Sequence, residues 1–354
     1  MNSHARDPGL DRFKGLLICL IVLGHNYVFS HHYPLLFSWL YGFHVVSFLL
    51  FPFLFLKTGV PLHALGEKLR RILVPHVFFL LIAAVVFVIL NSVIGSKPFL
   101  PWLQDVGVAL LLERETPFRQ TLGAGFLWFL PALAAQTLLL FLYQNANTGI
   151  QWLAIGLAVV IHLFMGLVDS TAVYQLPFSL SLVSYIFVLG LLVNAIHTRV
   201  AWSPRTSFAL VCAWLVASYV AIANRFFHPL AGDFYRSPVS IVEPFTLLMQ
   251  DGLIVLSFFA LLRLAHSIPA ALLSSLGRYS LQIFLLHPFV WQLLWRAGLD
   301  DFSSDNPALL AMTIAVSFAV TLGLSLTLAK AFARTPIEGI VFPGTVAEGR
   351  LHRD

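Results

Sequence analysis

Two residues near the start of the chain have types and spacing that fit shared chemistry. Lys14 and His25 are eleven positions apart, in the run Leu10-Asp11-Arg12-Phe13-Lys14-Gly15 and the later Leu23-Gly24-His25. Eleven residues are close to three whole helical turns, so both side chains leave the same face, roughly 16 Å apart along the axis. A cation at the mouth of a membrane span can hold a phosphate. A histidine at depth can move a proton, because imidazole titrates near neutrality. Each residue alone has a plainer explanation: a snorkelling lysine anchor, and a histidine bonded to a neighbouring helix. The shared face is what favours chemistry, since an ionisable group inside a membrane is costly and marks function by default.

A second basic group follows in Gly66-Glu67-Lys68-Leu69-Arg70-Arg71-Ile72. Lys68 and Arg71 are three apart and share a face. Arginine binds phosphate bidentately and lysine binds it as a point charge. The alternative for all three cations is an anchor to lipid headgroups. Two further histidines fall at mid-depth of apolar runs, His44 in Gly42-Phe43-His44 and His287 in Leu286-His287-Pro288. The proline removes a backbone hydrogen bond beside His287. The other histidines, His162 and His266 among them, are read as lying near helix ends or loops. No pair has the spacing of a metal-binding helix such as H-E-x-x-H, and there is no phosphate-binding glycine loop. No metal is expected.

These residues need elements to hold them. The chain has 354 residues, 59% apolar and only 10% charged. Soluble domains carry about 25% charged residues, so the composition excludes a soluble enzyme, a disordered chain and a nucleic-acid module. Continuous apolar runs of about 20 residues indicate spanning helices, whereas a membrane β-barrel would alternate over about ten. The expected fold is an all-α polytopic membrane protein with about ten spans. They are placed at 13–31, 35–56, 71–94, 121–143, 150–167, 176–197, 206–225, 245–265, 274–296 and 308–332. The fifth is short, and the eighth carries Gln250 and Asp251. An amphipathic stretch, 101–112, lies in the longest connection. The first run is read as a retained helix rather than a cleaved leader. With an even number of spans, fifteen of the 21 Lys and Arg fall on the side of the termini, and ten of the 16 Asp and Glu fall on the other. By the positive-inside rule both termini are cytoplasmic. Cys19 and Cys212 sit inside apolar runs and suggest neither a disulfide framework nor a thiolate metal site. One domain over 10–335 is expected, with cytoplasmic tails at 1–9 and 336–354.

In this order and sidedness the motifs resemble the membrane acyltransferase-3 family. The basic residue and histidine of the first span match Lys14 and His25. The paired basic residues opening the third span match Lys68 and Arg71, with lysine in place of the commoner arginine. Phe43-His44 is similar to a Phe-His motif of the second span, although Val45-Val46 departs from the usual Met-Pro. Leu127-Trp128-Phe129-Leu130, and the run from Leu276-Gly277-Arg278-Tyr279 to Leu286-His287, are also similar. The Lys-Gly and Leu-Gly-His wording is nearest the fucose 4-O-acetylase-like branch. The resemblance covers roughly residues 10–295.

The resemblance implies transfer of an acetyl group from cytoplasmic acetyl-CoA to a sugar hydroxyl of a surface or exported polysaccharide, in a bacterial inner membrane. A polysaccharide assembly complex is a candidate partner. The phosphates of coenzyme A suit Lys14, Lys68, Arg70 and Arg71. His25 would serve as general base or as nucleophile; the sequence does not separate the two. Asp11, Arg12, His44, Trp128, Asp251, Arg278 and His287 are candidates for supporting or acceptor-binding roles. Trp102, Tyr174, Tyr235, Asp169, Asp233 and Glu243 lie toward the outer side, where aromatic belts are common for other reasons. Two other classes fit the composition. One is a transporter or flippase of a polar lipid-linked glycan, with Lys14 and His25 as relay groups. The other is a non-catalytic membrane partner.

Overall fold

The structure is a computed structural model and describes residues 7–94, 98–112, 124–165, 180–224, 244–299 and 302–343. Tyr174, Tyr235, Asp169, Asp233 and Glu243 lie outside the described residues. Among the described residues every regular element is helical. In chain order the helices are α1 (Pro8–Gly24), α2 (Tyr27–His32), α3 (Pro34–Tyr41), α4 (His44–Leu50), α5 (Leu62–Ile94) and α6 (Phe99–Leu112). They continue with α7 (Phe129–Asn145), α8 (Thr148–Met165), α9 (Leu180–Arg199), α10 (Pro204–Asn224), α11 (Pro244–Ser267) and α12 (Ala271–Arg278). The last are α13 (Ser280–Leu294), α14 (Pro307–Phe332) and α15 (Glu338–Val341). Tight 3₁₀ turns follow α4 (Phe51–Phe55) and precede α7 (Ala124–Trp128).

Seven helical stretches among the described residues are long and apolar enough to cross a membrane. They are Pro34–Phe55, Leu62–Ile89, Phe126–Asn145, Leu182–Arg199, Pro204–Asn224, Leu248–Ser267 and Pro307–Phe332. The stretches expected as the other three spans hold shorter helices. The first ends at Gly24 and restarts at Tyr27, the fifth is an apolar helix over Thr148–His162, and the ninth is cut at Tyr279. The 101–112 stretch is helical, within α6. Its Trp102 is fully buried and stacks on Phe87 at 4.5 Å, so this residue packs as core.

The longest helix shows how the sequence sorts its faces. On α5, Phe79, Ala83 and Phe87 recur every four residues and are buried, while Leu73, Val77, Leu81 and Val85 recur at the same interval and are exposed. An exposed apolar stripe of this kind is stable against lipid tails and costly in water.

At the centre of the fold α1 packs on α12, α11, α13 and α4. The α1–α12 seam depends on two glycines. A Cβ at Gly277 would lie 1.7 Å from the Asp11 carbonyl, and one at Gly15 would lie 2.1 Å from the Leu273 carbonyl. Small residues at such crossings let helix backbones approach closely, which in lipid supplies the packing that the hydrophobic effect cannot.

Candidate functional site

His25 sits where α1 stops. Its backbone N–H bonds the Ile21 carbonyl at 3.0 Å as the helix C-cap. Asn26 then caps α2, its Oδ1 accepting from the Phe29 N–H at 3.1 Å. The Asn26 Nδ2 donates to Ser317 Oγ at 2.8 Å and to the Ile314 carbonyl at 3.3 Å, both on α14. The chain therefore breaks at His25 by design of its neighbours: a buried asparagine satisfies the freed backbone and ties the break to another helix.

The broken end points His25 at His287. His25 Nδ1 and His287 Nε2 are 3.1 Å apart, joining residues 262 positions apart in the sequence. His287 is fully buried on α13, and its Nδ1 lies 3.1 Å from the Ile283 carbonyl. A carbonyl only accepts, so His287 Nδ1 carries its proton and, in the neutral ring, Nε2 is the lone pair. His25 Nδ1–H then donates to it. That assignment leaves His25 Nε2 as a lone pair, and none of the hydrogen bonds among the described residues engages it. His25 is partly exposed while His287 and His44 are not. Chemically, such an arrangement can serve as a base held by an orienting partner, the logic of a catalytic triad without its carboxylate.

The walls are aromatic. The Phe126 ring meets His25 edge-on at 4.3 Å, and Tyr41 lies 6.0 Å away, also edge-on. Tyr41 in turn meets His44 at 4.7 Å. His44 opens α4 just after the Gly42-Phe43 break, and its Nδ1–H donates to the Leu40 carbonyl at 2.6 Å. His44 is thus a close neighbour of the His25 site without a hydrogen bond to it among the described residues. The aromatic ring against His25 is Phe126. Trp128, which the sequence singled out, packs partly buried against the core and meets Phe129.

About three turns back along α1, Lys14 Nζ pairs with Asp11 Oδ1 at 3.0 Å and lies 5.9 Å from the centre of the Phe51 ring. Asp11 is buried and Lys14 is partly exposed. Lys68, Arg70 and Arg71 stand exposed at the start of α5. No hydrogen bond or ion pair among the described residues ties them to Lys14. Arg278 is exposed at the end of α12, and the Arg12 guanidinium reaches the His266 carbonyl at 3.4 Å.

Asp251 is not at the His25 site. Its Oδ2 lies 2.8 Å from His162 Nε2, and its Oδ1 accepts from the Tyr185 hydroxyl. His162 Nδ1 faces the Tyr185 carbonyl at 3.3 Å, and the two rings stack at 4.4 Å. His162 lies in the last turn of α8, near a helix end as expected, but it is buried there as Asp251's partner. The cluster joins α8, α9 and α11, and it makes the polar pair Gln250-Asp251 compatible with a spanning helix.

The family model described as "Acyltransferase domain" matches residues 7–329, nearly the whole chain. The chain belongs to the acyltransferase-3 family. The match begins at the cap of α1 and ends in α14, so it encloses Lys14, His25, His44, His287 and the α5 cations. Membership supports a multi-pass membrane acyltransferase. No curated protein and no solved structure matches this chain.

Proposed function

We propose that this acyltransferase moves an acetyl group from cytoplasmic acetyl-CoA to a sugar hydroxyl of an exported or surface polysaccharide, or of its lipid-linked precursor. In this reading it lies in a bacterial inner membrane with about ten spans and both termini cytoplasmic, on the fucose 4-O-acetylase-like branch of its family. Residues 10–335 form the catalytic domain. The acetyl donor, the glycan and the membrane rest on the family resemblance. The chemistry is supported by one observation, the 3.1 Å contact of His25 Nδ1 with His287 Nε2, which leaves His25 Nε2 without a hydrogen bond among the described residues.

The donor's phosphates meet Lys14, Lys68, Arg70 and Arg71, and its thioester extends toward His25. Three of these cations are exposed, which suits a water-soluble donor entering from that side. His25 Nε2 takes the proton of the acceptor hydroxyl as its oxygen attacks the thioester carbonyl. The tetrahedral intermediate collapses to the acetyl ester and expels the thiolate of coenzyme A, which recovers the proton from His25. Through these steps the His25 Nδ1–H keeps donating to His287, so the ring does not rotate and its charged form is stabilised. Holding both substrates in line at this point supplies much of the rate. The base role is preferred over an acyl-imidazole because one fixed nitrogen serves the whole proton cycle.

The deciding experiment incubates purified wild type and His25→Ala with acetyl-CoA and follows free thiol, with and without a glycan acceptor. Acceptor-dependent release by wild type alone supports the proposal. Folded wild type that releases no thiol with any acceptor returns the chain to the transporter reading.

A further inference from the structure

The end of the bundle that carries Lys14 holds a second group of cations that the proposed reaction does not use. Arg263 lies one turn before the end of α11, with its guanidinium 4.4 Å from the centre of the Trp202 ring. Trp202 sits in the short connection between α9 and α10 and stacks on Phe259 at 5.3 Å. His197, near the end of α9, is within electrostatic reach of Arg263 and His266. Arg12 of α1 closes the group through its contact with the His266 carbonyl.

Four polar atoms of this group are buried and have no hydrogen-bond partner among the described residues. They are Arg12 Nε, Arg263 Nε, Trp202 Nε1 and His197 Nδ1. The arginine and tryptophan atoms are donors only, and a buried donor left unmade is costly. Among the described residues the carboxylate in contact with this group is Asp7, which lies 3.4 Å from His266 and caps the Gly9 N–H at 2.7 Å. Neither arginine has an ion-pair partner among the described residues. Three donor-only atoms, two guanidinium charges and an aromatic face call for an anionic acceptor. Phosphate has the geometry, since it accepts from arginine forks at several oxygens.

We infer that Arg12, His197, Trp202 and Arg263 form a binding site for a phosphate group at this end of the bundle, separate from the α5 cations. Basic pockets between spanning helices on the cytoplasmic side are a recurrent place for phosphorylated headgroups, and the positive-inside reading puts this end there. The same chemistry would accept the nucleotide phosphates of a coenzyme A-type donor. The inference is independent of the acetyl-transfer proposal, because its test reads binding and not turnover.

The test uses the full chain in detergent, with native mass spectrometry and ligand-induced shifts in melting temperature. The probes are phosphatidylglycerol, phosphatidylcholine and adenosine 3′,5′-bisphosphate. We expect phosphatidylglycerol or the bisphosphate to bind, and Arg263→Gln to weaken that binding about tenfold, equivalent to about 1.4 kcal/mol. Arg12→Gln, on a different helix, weakens it in the same direction, and Trp202→Phe gives a smaller loss with the ring kept. Preference for phosphatidylglycerol over phosphatidylcholine, without nucleotide binding, identifies a lipid headgroup site. Bisphosphate binding sensitive to Arg263 but not to Lys68→Ala identifies a donor-phosphate site distinct from α5. Failure of both anions to bind overturns the inference. So does binding that survives all three substitutions, or bisphosphate binding that is the only binding seen and is lost in Lys68→Ala alone.

Discussion

His25 and His162 both sit in polar clusters inside the bundle, and they differ in what is left over. His162 has both ring nitrogens facing acceptors, the Tyr185 carbonyl and the Asp251 carboxylate. Asp251 has one oxygen on His162 and the other on the Tyr185 hydroxyl. Each of these contacts is made to another member of the cluster. At His25 the chain of donation runs one way, from His25 Nδ1 to His287 Nε2 and from His287 Nδ1 to the Ile283 carbonyl. It ends with a lone pair on His25 Nε2. A saturated cluster ties helices together, whereas a cluster with one spare lone pair can take a proton. Residue type does not separate these cases; partner count does.

The comparison breaks if the two clusters respond alike to substitution. The largest expected effect is at His25. His25→Ala lowers acceptor-dependent thiol release by about 10²–10⁴-fold, the usual contribution of a general base, with expression and melting temperature near wild type. His287→Ala comes next. It lowers kcat by about 10²-fold, short of the roughly 10⁴ lost when a triad's carboxylate orienter is replaced, and leaves the KM values of donor and acceptor unchanged. His287→Gln, whose side-chain oxygen can accept from His25, recovers part of that loss. Equal activity in His287→Ala and wild type would remove the orienting role.

Substitutions in the other cluster sharpen the contrast through stability. Asp251→Asn lowers the melting temperature by several degrees, since the part-buried His162 and Tyr185 lose a carboxylate acceptor, at a cost of about 1–3 kcal/mol. Turnover per folded molecule stays within about twofold, inside the scatter expected of a structural change. A large fall in kcat with unchanged melting temperature would make that cluster part of the chemistry. The smallest effect is at Arg71. Arg71→Ala raises the apparent KM for acetyl-CoA a few-fold with kcat unchanged, because exposed charge pairs are worth about 0.2–1 kcal/mol and Lys68 and Arg70 remain. Titrating the donor against both proteins measures it.

Much of this was readable in the chain. The apolar runs located the helices, and the eleven-residue spacing of Lys14 and His25 set them about three turns apart, because helical periodicity is local. The breaks were not readable. Asn26 ties the end of the first span to Ser317 and Ile314 on α14, far away in sequence, and the cuts at Gly42 and Tyr279 fall inside stretches read as single spans. His287 was flagged, but its partnership with His25 joins residues 262 positions apart and leaves no local pattern. His162 was passed over for the same reason, although Asp251 in an apolar span already required a partner nearby. Phe126 carried no signal beyond being one of 32 phenylalanines.

The glycine seam between α1 and α12 has a consequence for kinetics. Gly277 brings α12 against the Asp11 carbonyl, and Gly15 brings α1 against the Leu273 carbonyl. The two helices are therefore packed backbone to backbone, with His25 at the end of one and α13, bearing His287, running on from the other. The spacing of the two imidazoles is a built dimension of the bundle and does not have to be created by substrate. Under the proposed function the base is assembled before either substrate arrives, and the order of binding is then set by access to Lys14 and to His25. Loosening the seam with Gly277→Ala would convert that assembly into a conformational step, seen as a lag in pre-steady-state thiol release that the intact protein lacks.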